Sequence, residues 1–444
     1  MVGLSILMGR EQDLLETLPK DCYRKPIVTV PIGRRRVVIV NDPEWIRHVF
    51  IDAREHYPKS DLMISALSPL LGDGVLIANG ETWSHDRKML DPAFVHMRLE
   101  QMFPLMRGAI DDAIARFSDL SPDQVIDLEA ELSHITADIM FRTLFSEPID
   151  SEDAAGVFGA FMRFQRNAPQ FNLRVILASD PAHPEALPEA LMADAAFLRG
   201  LIAHLLEARF ARLAKGETFI DFAQSAIDAR DASGRPFSRE RLIDQLAVFF
   251  LAGHETTASS LAWTMFMLSQ DRDVMSRLRT EVTTVLGSEP FAFADFKRLP
   301  FTRMVFREGL RLYPPAAFLT RRALKADRFG RVSVPVDTFV VVSPWLVHRH
   351  ERYWQNAWSF RPDRFAEDQP APRMGTYIPF GLGPRVCTGA TIAQLEASLI
   401  LAELLRRFEF RMTNVADVFP ITRVTIRPRS GIACTVSTID GMTV

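Results

Sequence analysis

The sequence predicts a mainly α-helical chain with a small β portion, folded as one domain. Three observations carry this. Apolar residues recur at spacings of three and four through most long segments. β-rich runs are confined to three short stretches, and no internal repeat or low-complexity linker divides the chain. With 444 residues and 48% hydrophobic composition a large core is available, although length alone would allow two or three domains of roughly 150 residues.

In chain order, 27–40 carries two β-rich runs around Gly33 and predicts a hairpin. Helical spacing follows at 42–51, 99–118, 126–145, 188–215 and 388–408, and 239–271 reads as one long helix. Strand character returns at 331–343 and at 421–437. Two stretches read as mobile loops: 59–80, with Pro69, Gly72 and Gly74, and 167–188, with four prolines.

The net charge of −3 gives no basic balance suited to nucleic acid. Three cysteines, Cys22, Cys387 and Cys434, are too few for a disulfide framework and suit a reducing, cytoplasmic setting. The N-terminal apolar run, 1–9, is far shorter than the roughly 20 residues of a spanning helix, so no membrane anchor is expected.

The segment Pro379-Phe380-Gly381-Leu382-Gly383-Pro384-Arg385-Val386-Cys387-Thr388-Gly389 runs into the helix expected at 390–408. A cysteine just before a helix N-terminus is favoured as thiolate by the free amides and the positive dipole end. The glycines at 381, 383 and 389 leave room for the backbone to approach a large flat group. A buried structural cysteine beside a glycine-rich turn fits these residues equally well.

Phe380, Gly383, Arg385, Cys387 and Gly389 match F-x-x-G-x-R-x-C-x-G, and on them the chain resembles the cytochrome P-450 family. The resemblance implies that family's fold, with a heme b (iron protoporphyrin IX) between the long central helix and the helix after the cysteine. It implies that Cys387 is the axial ligand of the heme iron, that Phe380 lies against the thiolate, that Gly389 borders the cofactor and that Arg385 pairs with a heme propionate. Thiolate donation to iron favours O–O cleavage.

Further motifs follow the family's order. Glu308 and Arg311 form E-x-x-R on one helix face; alone, such a pair is a surface ion pair worth a few tenths of a kcal/mol. The resemblance makes Arg364, in Phe360-Arg361-Pro362-Asp363-Arg364-Phe365, the third member of a buried cluster that braces the cysteine loop. Trp83 and Arg87 share a face, and an indole N–H beside a guanidinium suits a carboxylate. By resemblance that carboxylate is a propionate, which Arg321 of Arg321-Arg322 also contacts.

The middle of the long helix, 246–253, is apolar almost all round and belongs in a core. Gly253, Glu255, Thr256 and Thr257 then break local rules: glycine costs about 1 kcal/mol in a helix interior, and a buried unpaired carboxylate costs more. A helix that surfaces at Glu255 is the plain alternative. Ala252-Gly253-His254-Glu255-Thr256 matches the family's [AG]-G-x-[DE]-T. The resemblance places Ala252 beside the cofactor, has Gly253 open space for dioxygen, Thr256 hydrogen-bond the oxygen and Glu255 relay protons from solvent. His254 reads as a helix-surface residue.

The resemblance spans about 27–437, leaves no room for a fused reductase, and identifies the chain as a single-domain (1–444), bacterial-type soluble monooxygenase, expected to be a monomer. The expected reaction inserts one oxygen atom of O2 into an apolar substrate such as a fatty acid, terpenoid, steroid or aromatic. Electrons would come from NAD(P)H through a ferredoxin and ferredoxin reductase, or a flavodoxin-type donor, docking near Arg87, Lys88, Arg406 and Arg407. Candidate lining segments are 59–80, 161–178, 246–252, 316–319 and the turn at Ser430-Gly431. A peroxide-using peroxygenase or a redox-neutral isomerase or dehydratase is the alternative, and Glu255 with Thr256 speaks against it. A non-catalytic heme binder or sensor would leave the proton relay without use.

Overall fold

The computed structural model describes residues 18–32, 35–149, 159–164 and 187–439, with residues 15 and 156. The turn of the first hairpin and residues 167–186 of the loop expected at 167–188 lie outside the described residues.

Strands β1 (Ile27–Ile32) and β2 (Arg35–Val40) form the expected antiparallel hairpin. Helix α1 (Pro43–Arg47) is started by the Asp42 carboxylate, which accepts from the Glu44 N–H, and it runs into a π-helical turn, His48–Asp52. Then come α2 (Asp61–Leu71), α3 (Gly80–Leu90) and α4 (His96–Ser118). Strand β3 (Val125–Asp127) leads straight into α5 (Leu128–Phe145), capped by Asp127. Helices α6 (Glu189–Ala214), α7 (Phe222–Asp228), α8 (Arg239–Gln270), α9 (Arg272–Leu286) and α10 (Pro300–Leu312) follow. After strands β4 (Leu319–Arg322), β5 (Asp327–Phe329), β6 (Val332–Val334) and β7 (Phe339–Val342) come α11 (Pro344–Val347) and α12 (Ala390–Arg407). Strands β8 (Phe408–Met412), β9 (Pro420–Thr422), β10 (Ile426–Pro428) and β11 (Ala433–Thr438) end the described chain.

The mainly α class with a small β portion holds. One sheet runs β1-β2-β7-β4, a second β3-β11-β8, and two pairs, β5-β6 and β9-β10, stand apart. Three boundaries differ from the sequence reading. Ile126 is a strand residue because it pairs with Cys434 of β11. Phe408 leaves α12 to pair with Thr438. The 331–343 run divides between two sheets, β6 pairing with β5 and β7 lying parallel to β2.

The stretch 59–80 is not a simple loop, since it holds α2. Leu67, Leu70 and Leu71 are buried there, and burying this face outweighs Pro69 near the helix end. Helix α8 crosses the interior as expected, with 246–251 wholly buried. Among the described residues no helix is long and apolar enough to cross a membrane.

Candidate active site

A short 3-10 turn, Gly383–Arg385, leads to Cys387, and α12 begins at Ala390. The loop is closed by its own backbone: Cys387 N–H donates to Phe380 O at 2.9 Å and Val386 N–H to Gly383 O at 3.0 Å. Gly383 has φ +75, and a Cβ there would lie 2.7 Å from Phe50 O. This glycine therefore admits the neighbouring π-helical turn, not a flat ligand as expected. The Cys387 thiol is reachable by solvent, yet its surroundings desolvate it enough to raise its pKa, while the Gly389 N–H and the Arg87 charge pull the other way. A group both accessible and desolvated faces an internal hollow, not the outer surface.

Cations converge on the same place from three segments. Arg87 on α3 donates to Val386 O at 2.8 Å. Arg385 donates to Ala78 O at 2.9 Å and to Asn79 Oδ1 at 3.1 Å, and its guanidinium stacks 4.3 Å from the Trp83 ring centroid. Arg321 on β4 is 7% exposed and lies over the Phe50 ring. Burial, with the neighbouring Arg87 charge second, lowers Arg385 to about 10; burial, then Arg385, lowers Arg321 to about 9. No carboxylate among the described residues pairs with Arg321 or Arg385. Both stay charged at neutral pH, so the site is an anion receptor without a protein anion.

Helix α8 is buried on nearly every side through its middle, but Ala252, Gly253 and Thr256 remain partly accessible, the first and last one turn apart. That stripe opens inward. Thr256 Oγ1 donates to Ala252 O at 2.8 Å, so its proton is committed along the helix and its lone pairs are left to accept. Glu255 is 5% exposed and its Oε1 accepts from Thr425 Oγ1 at 2.9 Å.

One expectation on α8 is corrected, that for His254, and Gly253 meets a neighbour. A Cβ on Gly253 would lie 1.9 Å from Met140 Cε, so the glycine admits the α5 thioether. His254 is fully buried, not on the helix surface: its ring sits 4.5 Å from Phe161 and 5.0 Å from Phe250, its Nδ1 meets Phe250 O at 3.0 Å, and burial lowers it to about 4.

Glu308, Arg311 and Arg364 meet. Arg311 Nε and Nη2 donate to the two Glu308 oxygens at 2.7 and 2.8 Å, and Arg364 Nε donates to Oε1 at 3.2 Å. Arg311 Nη1 also holds His348 O and Ala357 O, both at 2.7 Å. His348 Nε2 then accepts from Ile378 N–H at 2.8 Å, which carries the brace to the foot of the cysteine loop.

The expected docking cations divide. Lys88 is exposed. Arg406 is 2% exposed and Arg407 partly buried, and both bond Glu403, itself fully buried. A buried carboxylate needs such counter-charges, so this pair is internal, not a docking contact. The 430–431 turn is tied to β3, Ile432 N–H donating to Asp127 Oδ1 at 3.1 Å, while Thr425 reaches α8 in its stead.

Sequence reasoning missed several residues here. Asn79, Thr425 and Lys59 carry no motif and are assembled only by packing. Glu396 on α12 is 3% exposed, and burial raises it well above the usual range against a hydrogen bond with Thr257. It lies nine residues beyond Cys387 on the same helix as the cysteine loop feeds, where a carboxylate amid apolar spacing was the available signal.

An inward-facing thiol with an amide on it, beside guanidiniums awaiting an anion, fits a flat iron-bearing group with acidic edges. A family model described as "Cytochrome P450", written here cytochrome P-450, matches residues 1–434. The chain is similar to Protein LUTEIN DEFICIENT 5, chloroplastic, of Arabidopsis thaliana, 29% identical with 93% of this chain and 72% of the relative covered. It is similar to 11-oxo-beta-amyrin 30-oxidase of Glycyrrhiza uralensis, 29% identical, with 90% and 78% covered. The crystal structure of the cytochrome P-450DA heme domain superposes with a TM-score of 0.81 at 22% identity, covering 93% of this chain and 90% of that one, a likeness of fold.

Proposed function

Because the chain belongs to the cytochrome P-450 family, and so is a heme-using monooxygenase, we propose that it hydroxylates an apolar organic substrate with electrons from a separate donor, holding the heme iron through Cys387. The observation that carries this reading is the inward-facing Cys387 thiol with the Gly389 amide and the Arg87 charge upon it. Bound heme supplies the iron chemistry by which dioxygen is reduced and split.

The chain's own residues divide the remaining work. The Gly389 N–H and the start of α12 hold negative charge on Sγ. Arg87, Arg321 and Arg385 would hold the propionates, with Trp83 supporting the Arg385 plane. Thr256 accepts a hydrogen bond on the inward face of α8 and so orders a water there. Glu255, fixed by Thr425, exchanges protons with that water as acid and base. Met63, Ile64, Val75 and Phe318 are partly buried apolar side chains from lining candidates and favour an apolar substrate. A relative named for oxidising 11-oxo-beta-amyrin is in keeping with that class. The donor is a ferredoxin or flavodoxin fed by NAD(P)H.

The test is the CO-bound ferrous spectrum. The protein should show the strongly red-shifted Soret band of thiolate ligation, and Cys387→Ala should lose it; an imidazole-type band in undamaged protein overturns the assignment. A substrate panel read by ferric spin-state shift then finds the substrate class. Turnover with peroxide but not with reduced ferredoxin or flavodoxin would favour the peroxygenase alternative.

A further inference from the structure

The second sheet leaves one edge open. It runs β3-β11-β8, and among the described residues no strand lies beyond β8. Thr413 N–H donates to Ala433 O and Ile439 N–H to Arg407 O, both at 2.8 Å, so the odd-numbered residues of β8 exchange backbone bonds with β11. The even-numbered ones point the other way. Phe408 shows this, since its O accepts from Arg279 Nη2 of α9 at 3.1 Å. The N–H and C=O of Phe410 and Met412 are then directed along the open edge.

That edge forms one wall of a groove of about 950 Å³, and α9 forms the other. Leu278, Val282 and Leu286 turn one face of α9 into the core. Arg272, Ser276, Thr280 and Thr283 follow at spacings of four, four and three and line the groove with a second stripe. From Arg272 to Thr283 the helix rises about 16 Å, the length of about five extended residues. Arg279, bonded to Leu405 O and Phe408 O, ties α9 to the start of β8.

The walls bring three arginines, Arg272, Arg279 and Arg411, against one acid, Glu409. Arg272 and Arg411 are exposed, and neither makes an ion pair among the described residues. Along β8 Phe410 is buried while Glu409 and Arg411 are exposed. A strand laid against this edge inherits the alternation, with one face over Phe410 and Met412 and the other meeting Arg411. Charged side chains also guard an edge against unwanted pairing, but a guard needs no polar, arginine-bearing stripe on the helix opposite.

We propose that the groove between β8 and α9 is a docking site for an extended acidic segment of a partner protein. The segment adds as a strand to β8, its apolar residues over Phe410 and Met412 and its carboxylates against the groove arginines. Main-chain bonds to the edge supply affinity, and the alternate side chains supply specificity. The site shares no residue with the cofactor site, so either reading can fail alone.

The probe is a fluorescein-labelled peptide of alternating valine and glutamate, titrated against the full-length protein and read by anisotropy. It should bind saturably, and more weakly as salt screens the charges. Lysine in place of glutamate should weaken it many-fold. N-methylation of the valines, the residues set opposite Phe410 and Met412, removes the N–H groups facing β8 and should abolish binding. Arg411→Glu should weaken the glutamate peptide several-fold and strengthen the lysine one. Thr280→Trp, filling the groove from α9, should abolish both. No saturable binding of the glutamate peptide overturns the proposal, and so does binding indifferent to valine N-methylation or to Arg411→Glu. A concentration-dependent dimer that Thr280→Trp abolishes also overturns it, since the occupant is then a second copy of this chain.

Discussion

Glu308→Gln tests the brace behind the cysteine loop. Glu308 and Arg311 are each 0% exposed, one turn apart on α10. The carboxylate accepts two bonds from Arg311, one from Arg364 and one from the Arg361 N–H at 2.8 Å. Glutamine keeps the volume but places an NH2 against donors and leaves two guanidiniums facing no anion. Breaking a buried pair by removing one partner costs about 3–5 kcal/mol. Against a total stability of about 5–15 kcal/mol this is a large fraction. Denaturant unfolding should show that loss, and the fraction of chain carrying thiolate-ligated heme should drop with it, since the His348–Ile378 bond passes the disturbance to the loop. A double-mutant cycle with Arg364→Met should give a coupling of about 0.5–3 kcal/mol. A loss below about 1 kcal/mol, the value of an exposed ion pair, would refute the reasoning.

The other predictions are smaller in scope. Thr256→Val should lower product formed per electron pair several-fold and release peroxide at unchanged heme content, whereas Thr257→Val, buried and bonded to Gly253 O, should keep its coupling; equal effects would remove the distinction. Gly253→Ala should displace the end of the Met140 side chain and so couple to Met140→Ala in a double-mutant cycle by about 0.5–3 kcal/mol; strictly additive effects would remove the contact from the argument. His254 and His348 are held neutral by burial, lowered to about 4 and about 3 from an ordinary 6.5. At each of them the unfolded chain therefore binds its proton first, so each contributes a loss of stability as pH falls from about 6.5 toward 4, of up to about 1.4 kcal/mol per pH unit. His254→Phe should remove one such contribution, and a slope unchanged from the unaltered protein in urea titrations across this range would contradict the assignment.

The sequence by itself determined what is local. Periodicity located α8 and α12 to within two residues, because an apolar stripe repeats with the helix turn whatever it later meets. The cysteine loop was readable because Phe380, Arg385, Cys387 and Gly389 fall within ten residues, and the loop closes on itself through the Cys387 N–H and Phe380 O. Glu308 and Arg311 could be paired from their spacing, but not their burial, which turns a marginal surface pair into a brace. Tertiary structure decided the rest. Gly253 gave no sign of Met140 until α5 was set against it. His254 looked exposed until Phe161 and Phe250 enclosed it, and Arg406 and Arg407 looked free until Glu403 took them inward. Lys59, in a stretch that reads as a loop, came beside the site only when β4, α3 and the cysteine loop brought Arg321, Arg87 and Arg385 near it. The physical reason is common to all four: spacing along the chain tells which face of an element is apolar or charged, while the partner that satisfies or crowds that face comes from a distant segment and is chosen by packing.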